Sequence, residues 1–134
     1  MLQPKKTKFR KLQKGAAIRG CASSNHKLNF GTFGIKSLTS GRLCSSTIET
    51  LRRALSRKFK RTGKIWIRVF PHLSVTKKPA EVRMGKGKGS PAFWLAKIPA
   101  GQILFEISGV SEDLVKQAVK LISGKISLKI KLIK

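Results

Sequence analysis

The sequence predicts an α+β fold: a sandwich of mixed or antiparallel strands with two helices, preceded by an extended basic arm. Alternating apolar residues at 64–70 and 126–132 are typical of strands. Apolar residues at helical spacing in 46–62 and 111–124 indicate two amphipathic helices. Strands and helices do not alternate one for one, which argues against a doubly wound parallel sheet.

The charge of the chain is strongly unbalanced. Thirty Lys and Arg face five acids over 134 residues, which gives a formal net charge of +25. The apolar content of 40% argues against simple disorder. Because so many like charges repel one another in a folded domain, the chain needs an anionic partner. Phosphate backbones are the commonest such partner, and acidic lipid surfaces come second.

Residues 1–27 are predicted to form the extended basic arm, and residues 28–134 a single α+β domain. The first 46 residues contain ten cations and no acid. The alternative is a merely disordered tail. Against it, Phe9 and Leu12 lie among these charges and can anchor the arm on a partner. The candidate phosphate contacts of the arm are Lys5, Lys6, Lys8, Arg10, Lys11 and Lys14.

The segment 28–38 is predicted to be a strand interrupted near two glycines, and a turn follows at 39–41. Within it, Gly31-Thr32-Phe33-Gly34 matches the GxxG pattern of the KH nucleic-acid-binding loop. That loop joins two helices, whereas the flanks here are extended. We therefore interpret the match as accidental.

The first helix is predicted from Ser46, which forms a capping box with Glu49, to a left-handed C-terminal glycine at Gly63. Its apolar stripe consists of Ile48, Leu51, Leu55 and Phe59. A basic outer face is often only solvated, but the shortage of acids on this one favours phosphate contact. The candidate contacts are Arg52, Arg53, Arg57, Lys60 and Arg61.

Five segments in the middle of the chain are predicted to be extended. Residues 64–70 carry bulky side chains on both faces, as a central strand does. Short extended pieces at 75–79 and 80–84 follow. Residues 93–98 and 102–107 are predicted to pair as a hairpin around Pro99-Ala100-Gly101.

The second helix is predicted to begin at Ser111, with Glu112 and Asp113 in its first turn, where the helix dipole favours negative charge. It is expected to end at Gly124, and a half-buried strand follows at 126–132. Its buried stripe is predicted to contain Leu114, Val115, Ala118, Val119 and Ile122.

A glycine-lysine loop at 83–91 is the most distinctive segment, predicted to be mounted rigidly between strands at Val82 and Phe93. Its alternating glycines allow close backbone approach, and its lysines suit a polyanion. The spacing matches neither a Walker A motif nor a dinucleotide-binding fingerprint. The candidate binding residues are Arg83, Met84, Gly85, Lys86, Gly87, Lys88 and Gly89.

The sequence argues against catalysis, cofactors and metals. Its two histidines have no acid nearby in sequence, and Cys21 and Cys44 form no CxxC pair. The cysteines are interpreted as inert thiols in a reducing compartment. Neither a membrane span nor a secretory signal is predicted, and we expect no homo-oligomer.

The spread of cations favours folded RNA as the partner. Basic residues in the arm, the first helix and the glycine-lysine loop lie far apart in sequence, so a compact fold presents them on several sides. A helix presenting Asn or Gln for base readout is absent from the sequence pattern, which weakens specific DNA recognition. The alternative is a non-specific, DNA-compacting organellar nucleoid protein, which charge alone would support.

Three motifs in order resemble the bacterial-type large-subunit ribosomal protein sixteen family nearly end to end. Residues 1–11 (MLQPKKTKFRK) are similar to the opening of that family. Residues 63–71 (GKIWIRVFP) are similar to its strand, and 82–89 (VRMGKGKG) to its signature loop. The sequence departs from the family pattern at 72–74 and 92–94, and 15–28 does not align.

The resemblance implies a hammerhead-type α+β fold on large-subunit rRNA, beside neighbouring ribosomal proteins. It also implies that the arm contacts rRNA and that the glycine-lysine loop lies near the aminoacyl-site tRNA and the peptidyl transferase centre. The protein would then be a structural component in translation and subunit assembly, not an enzyme. Residues 101–106 and 109–111 are similar to mitochondrial members. We therefore expect the mitochondrial matrix, with no presequence, and keep a plastid or the bacterial cytoplasm as alternatives.

Overall fold

The structure, a computed structural model, describes residues 2–134 and contains two helices and seven strands within that range. All strand pairs are antiparallel. The predicted α+β class and both helices are confirmed. The elements in chain order are β1 (Phe33–Ser37), β2 (Gly41–Cys44), α1 (Ser45–Lys58), β3 (Lys64–Ile67), β4 (Leu73–Lys77), β5 (Ser90–Ile98), β6 (Ile103–Ser108), α2 (Glu112–Ser123) and β7 (Ile130–Ile133).

The strands form two sheets, one of order β3-β6-β1-β7 and one of order β2-β5-β4. The predicted hairpin is therefore wrong, because β5 and β6 belong to different sheets. The turn between them bonds to the end of β1: Gly101 N–H donates to Ser37 O at 2.7 Å, and Ser37 N–H donates to Gln102 O at 2.8 Å. These bonds hold the turn after β5 at the end of β1, where the chain passes from the three-stranded to the four-stranded sheet.

The strand predicted as central, 64–70, is an edge strand. Within residues 2–134, β3 pairs with β6 alone and ends at Ile67. Both of its faces carry bulk for separate reasons. Ile65 and Ile67 pack on the core, whereas Trp66 lies beside the ring of Phe30 on the other face.

The apolar stripes of both helices supply the core between helices and sheets. The four predicted residues from Ile48 to Phe59, the last of which directly follows α1, are essentially inaccessible to solvent. In α2, Val115, Ala118 and Ile122 are buried as predicted, but Leu114 is 38% exposed. The helical periodicity therefore predicted the buried face of each helix correctly, but the predicted buried stripe of α2 was too wide.

The predicted ends of α1 are wrong. The helix begins at Ser45, so Ser46 already lies inside it, and no side chain caps it within residues 2–134. It ends at Lys58, and Lys60 and Arg61 then adopt left-handed backbone conformations, with φ of 51° and 65°. Glycine is required at position 63 for a different reason. Its φ is 74°, and a Cβ there would lie 2.6 Å from Ser108 O.

Several predicted strand boundaries also differ. β2 was not predicted, and β1 is shorter than the predicted segment 28–38. Residues 80–84 form no strand, so the chain from 78 to 89 connects β4 to β5 without regular structure. Ile126 and Leu128 pack inward, but β7 begins only at Ile130.

Candidate nucleic-acid interface

The glycine-lysine loop projects from the end of the β4–β5 pair. Three successive residues, Gly85, Lys86 and Gly87, have positive φ angles of 101°, 51° and 88°. A Cβ added at Gly85 or Gly87 would meet open space, so these two glycines serve the backbone conformation. Met84 is 97% exposed. The loop thus presents its backbone and its cations to solvent.

Contacts within the chain close the base of this loop. Lys77 pairs with Ser90 at the start of the β4–β5 ladder. A Cβ added at Gly89 would lie 2.7 Å from Lys77 O, so this glycine permits the two backbones to approach. The Lys78 ammonium also donates to Gly85 O. The strand that was predicted at Val82, before the loop, is absent. These contacts hold the loop in place instead.

Two reciprocal hydrogen bonds join the loop to the basic arm. The Lys11 ammonium donates to Lys88 O at 2.8 Å, and the Lys88 ammonium donates to Leu12 O at 2.7 Å. We call this pair of bonds the arm–loop clasp. The residues are 76 and 77 positions apart, so no local pattern in the sequence indicates it. The structure thus brings together two segments that the sequence predicted separately.

The described part of the arm, residues 2–27, contains no helix or strand and lies along the domain. Domain side chains bind its backbone carbonyls: Ser74 Oγ donates to Arg10 O at 2.9 Å, and Arg42 donates to Gly15 O and Ala16 O at 3.0 and 3.1 Å. The backbone is thereby used for docking, which leaves the cationic side chains of the arm exposed, although the Lys11 ammonium also binds the loop. The arm residues classed as exposed include Lys5, Lys6, Lys8, Arg10, Lys11 and Lys14. The division into arm and domain stays a prediction.

The candidate cations of α1 form a surface of their own. Arg52, Arg53, Arg57 and Arg61 line one open notch with Ser56. A second groove, between α1 and α2, has an apolar floor of Ala54 and Leu121 with a cationic rim. That rim consists of Arg57, Lys58, Lys60 and Lys125. Neither depression includes a residue of the glycine-lysine loop, so the two candidate surfaces are distinct.

Glu49 partly neutralises this surface instead of capping α1. Its carboxylate bonds Arg52 at 2.8 and 2.9 Å and Arg53 at 3.0 Å. The hydrogen bond from Arg52, followed by that from Arg53 and the charges of both, outweighs desolvation and lowers the pKa of Glu49 to about 2. These bonds hold two of the predicted phosphate-binding guanidiniums in place before any partner arrives.

Sequence reasoning missed Glu106, a fully buried carboxylate in β6. Its Oε2 accepts the backbone N–H groups of Asn29, Phe30 and Gly31 at 3.2, 2.6 and 2.8 Å. Its Oε1 pairs with the Arg68 guanidinium. Burial alone would raise the pKa of Glu106, but the three N–H groups and the charge of Arg68 hold it below the ordinary carboxyl value.

This buried carboxylate explains Gly31, which the GxxG match had singled out. A Cβ at Gly31 would lie 2.7 Å from Ile107 O, so only glycine lets the chain lie this close over β6. Three consecutive N–H groups form a concave anion site, which is filled by a side chain of the same protein. The motif is therefore structural here, in agreement with its rejection as a KH loop.

Comparisons with known proteins match nearly the whole chain. The family model for "Ribosomal protein L16p/L10e" matches residues 4–133. Large ribosomal subunit protein uL16 of Acidiphilium cryptum is 51% identical over 133 residues, 99% of this chain and 96% of that protein. The uL16 of Azorhizobium caulinodans is 53% identical over the same length and coverage.

A mitochondrial relative matches equally well. Large ribosomal subunit protein uL16m of Prototheca wickerhamii is 53% identical over 129 residues, 96% of this chain and 95% of that protein. Both bacterial and mitochondrial forms are therefore close in sequence, as the resemblance implied. This is a family of structural ribosomal proteins, not of enzymes. The chain belongs to the ribosomal protein L16p/L10e family.

Proposed function

We propose that this chain is a structural constituent of the large ribosomal subunit that binds large-subunit rRNA and contributes to the aminoacyl-tRNA site near the peptidyl transferase centre. The arm–loop clasp is the observation that carries the proposal. It joins a cationic arm suited to rRNA with an exposed loop suited to a second RNA. The names of the relatives support the placement in the large subunit.

The distribution of exposed cations supports a large folded RNA rather than a duplex bound on one side. The arm presents one set of cations, and the α1 notch and the α1–α2 groove, which share Arg57, present another. A partner that contacts all of them must surround the domain. Large folded RNA does this, and neighbouring ribosomal proteins complete the surroundings.

Cofractionation with the large ribosomal subunit through a high-salt wash tests the proposal. We expect the protein to remain on the subunit, because salt weakens the phosphate contacts, which supply essentially all of non-specific binding but only part of specific binding. Recovery of the protein free, or only with DNA, would overturn the proposal. The second outcome would favour the nucleoid alternative, for which equal, strongly salt-dependent binding to any duplex is the signature.

Separate variants test the arm and the loop. Replacing Lys5, Lys6 and Lys8 by Ala should weaken subunit assembly in a salt-dependent way. Replacing Lys86 by Ala should leave assembly intact and slow tRNA accommodation on purified ribosomes. We choose Lys86 because the Lys88 ammonium already binds the arm. If Lys86→Ala prevents assembly, the loop is a docking element and the tRNA role is wrong.

We also propose a mitochondrial ribosome as the site of action. The support is the likeness to the Prototheca wickerhamii mitochondrial protein, although bacterial relatives match to a similar degree. Organelle fractionation followed by isolation of ribosomes tests this placement. Recovery of the protein in plastid or cytoplasmic ribosomes would reject it while leaving the ribosomal function intact.

A further inference from the structure

A pair of aromatic rings, one exposed and one half-buried, lies on the edge of the four-stranded sheet, next to the arginines of the α1 notch. The rings of Phe30 and Trp66 stack with centroids 6.2 Å apart and planes 20° apart. That separation indicates an offset stack, in which part of each ring face stays uncovered. Phe30 is 60% exposed, although large apolar side chains are usually buried. We call these two residues the aromatic pair.

The Phe30 ring is mounted on a rigid base. Its backbone N–H donates to Glu106 Oε2 at 2.6 Å, the shortest of the three bonds to that oxygen. Gly31 lies against the backbone of β6, and Trp66 belongs to β3 itself. An exposed phenyl ring contributes little to the stability of the fold. Here, however, a buried carboxylate fixes the backbone that carries the ring. This arrangement favours a binding role.

Cations flank the aromatic pair on both sides. Lys64 Nζ lies 5.8 Å from the Trp66 ring centroid, and Arg68 Cζ lies 5.0 Å from the Phe30 ring centroid. Arg68 also donates to Asn25 Oδ1 at 2.9 Å and pairs with Glu106, so its position is fixed. Lys64 is exposed and free to reach toward a phosphate. Aromatic faces with adjacent cations are the features that bind single-stranded nucleic acid.

We propose that the aromatic pair is a stacking platform for an unpaired RNA base, with the Lys64 ammonium on the adjoining phosphate. The inference rests on the proposed function, since it assumes an RNA partner, and adds a recognition mode to it. Phosphate contacts by arm and α1 cations are indifferent to base identity and to whether a base is present. A stacked base, in contrast, requires an unpaired nucleotide at this place in the RNA. The net charge of +25 favours RNA over an apolar segment of a protein partner.

Fluorescence of the full-length chain tests this proposal directly. The sequence has two tryptophans, so Trp94→Phe leaves Trp66 as the single indole. The probes are a short single-stranded oligouridylate and an abasic oligomer with the same number of phosphates. We expect only the oligouridylate to quench Trp66 and to bind roughly 5–150-fold more tightly than the abasic oligomer, because stacking contributes about 1–3 kcal/mol per base.

Variants of Phe30 assign the effect to the platform. Phe30→Ala should abolish the preference for the oligouridylate, and Phe30→Tyr should retain it. Phe93→Ala is the matched control, since Phe93 is 40% exposed on β5 in the other sheet and should not alter the preference. Thermal melts of each variant establish that the fold is intact.

Equal affinity of the unsubstituted chain for the two oligomers would overturn the stacking proposal, and so would a folded Phe30→Ala chain that keeps the preference. The first comparison needs no Phe30 variant, so it decides the matter even if Phe30→Ala does not fold. Failure here is distinct from failure of the proposed function. A chain that cofractionates with the large subunit but ignores bases would still be a ribosomal protein, bound through phosphate contacts alone.

Discussion

Replacing Glu106 by Gln tests whether the buried carboxylate fixes residues 29–31 on β6. The substitution keeps the shape of the side chain but removes the charge shared by Arg68 and three backbone N–H groups. Removing one partner of a buried ion pair costs about 3–5 kcal/mol. This is a large part of the roughly 5–15 kcal/mol by which domains are stable. For a chain of this length, we expect the melting temperature to fall by on the order of 10–20 °C.

Thermal and urea unfolding of the full chain, followed by circular dichroism, measures this loss. Glu112→Gln is the control, because it removes a carboxylate on the surface that pairs with Lys116 and Lys134. The control midpoint should stay close to that of the unsubstituted chain. If Glu106→Gln unfolds at the same midpoint as the control, the carboxylate does not fix residues 29–31 on β6.

The pH dependence of stability gives a second test of the same site. The pKa of Glu106 lies below its ordinary value in the folded chain, so the unfolded chain binds more protons in acid. The stabilisation is complete above the ordinary carboxyl pKa and is lost as the pH falls through the folded-state value. The free energies of unfolding of Glu106→Gln and the unsubstituted chain should therefore converge as the pH falls below about 4.5. If the two free energies of unfolding differed by the same amount down to the lowest pH measured, the lowered pKa of Glu106 would be contradicted.

Three further substitutions separate structural roles from partner contacts. Gly89→Ala forces a methyl group against the neighbouring strand and should lower the free energy of unfolding by about 1–3 kcal/mol. Gly124→Ala is the control, because Gly124 has a φ of -76° and open space where a Cβ would lie, and it should not lower that free energy; equal urea midpoints would contradict the close approach. Lys88→Met removes a donor to the arm, so chymotrypsin should cut the arm after the exposed Phe9 roughly fivefold faster. Lys86→Met is the control, and equal cleavage rates would reject the clasp. Glu49→Gln should reduce the acid sensitivity of stability between pH 4.5 and about 2, where the native carboxylate stays ionised; superimposable acid unfolding curves would contradict that pKa.

Local periodicity predicted the helices because each helix is defined by residues three and four positions apart. The stripe from Ile48 to Phe59 is buried along its whole length, and its core face was correct. Strand pairing depends instead on partners far apart in sequence. Ser37 bonds the turn after β5, which sends β6 into the other sheet, and no property of 93–107 alone indicates that contact.

In the candidate interface, too, features of single residues could be predicted and contacts between distant segments could not. Composition and spacing identified the exposed cations of the arm, of α1 and of the glycine-lysine loop, because charge is a property of each residue alone. The clasp between Lys11 and Lys88 could not be predicted, since it joins distant segments through backbone carbonyls. Glu106 was missed for a related reason. An acid within an apolar strand has no local partner in the sequence, and its three N–H donors come from residues 29–31.

The few acids of this chain are placed where they organise cations and backbone rather than where they would screen the surface. Three of the five acids form ion pairs within residues 2–134: Glu49 with two arginines, Glu106 with Arg68, and Glu112 with Lys116 and Lys134. Glu49 holds two arginines of a helix surface and Glu106 holds residues 29–31 on β6, whereas the pairs of Glu112 lie on the surface. The remaining positive charge is then uncompensated, and its mutual repulsion opposes the compact state until an anion binds. Screening by salt or binding of a polyanion should therefore stabilise this fold, and the stability of the isolated chain is linked to the phosphate of its partner.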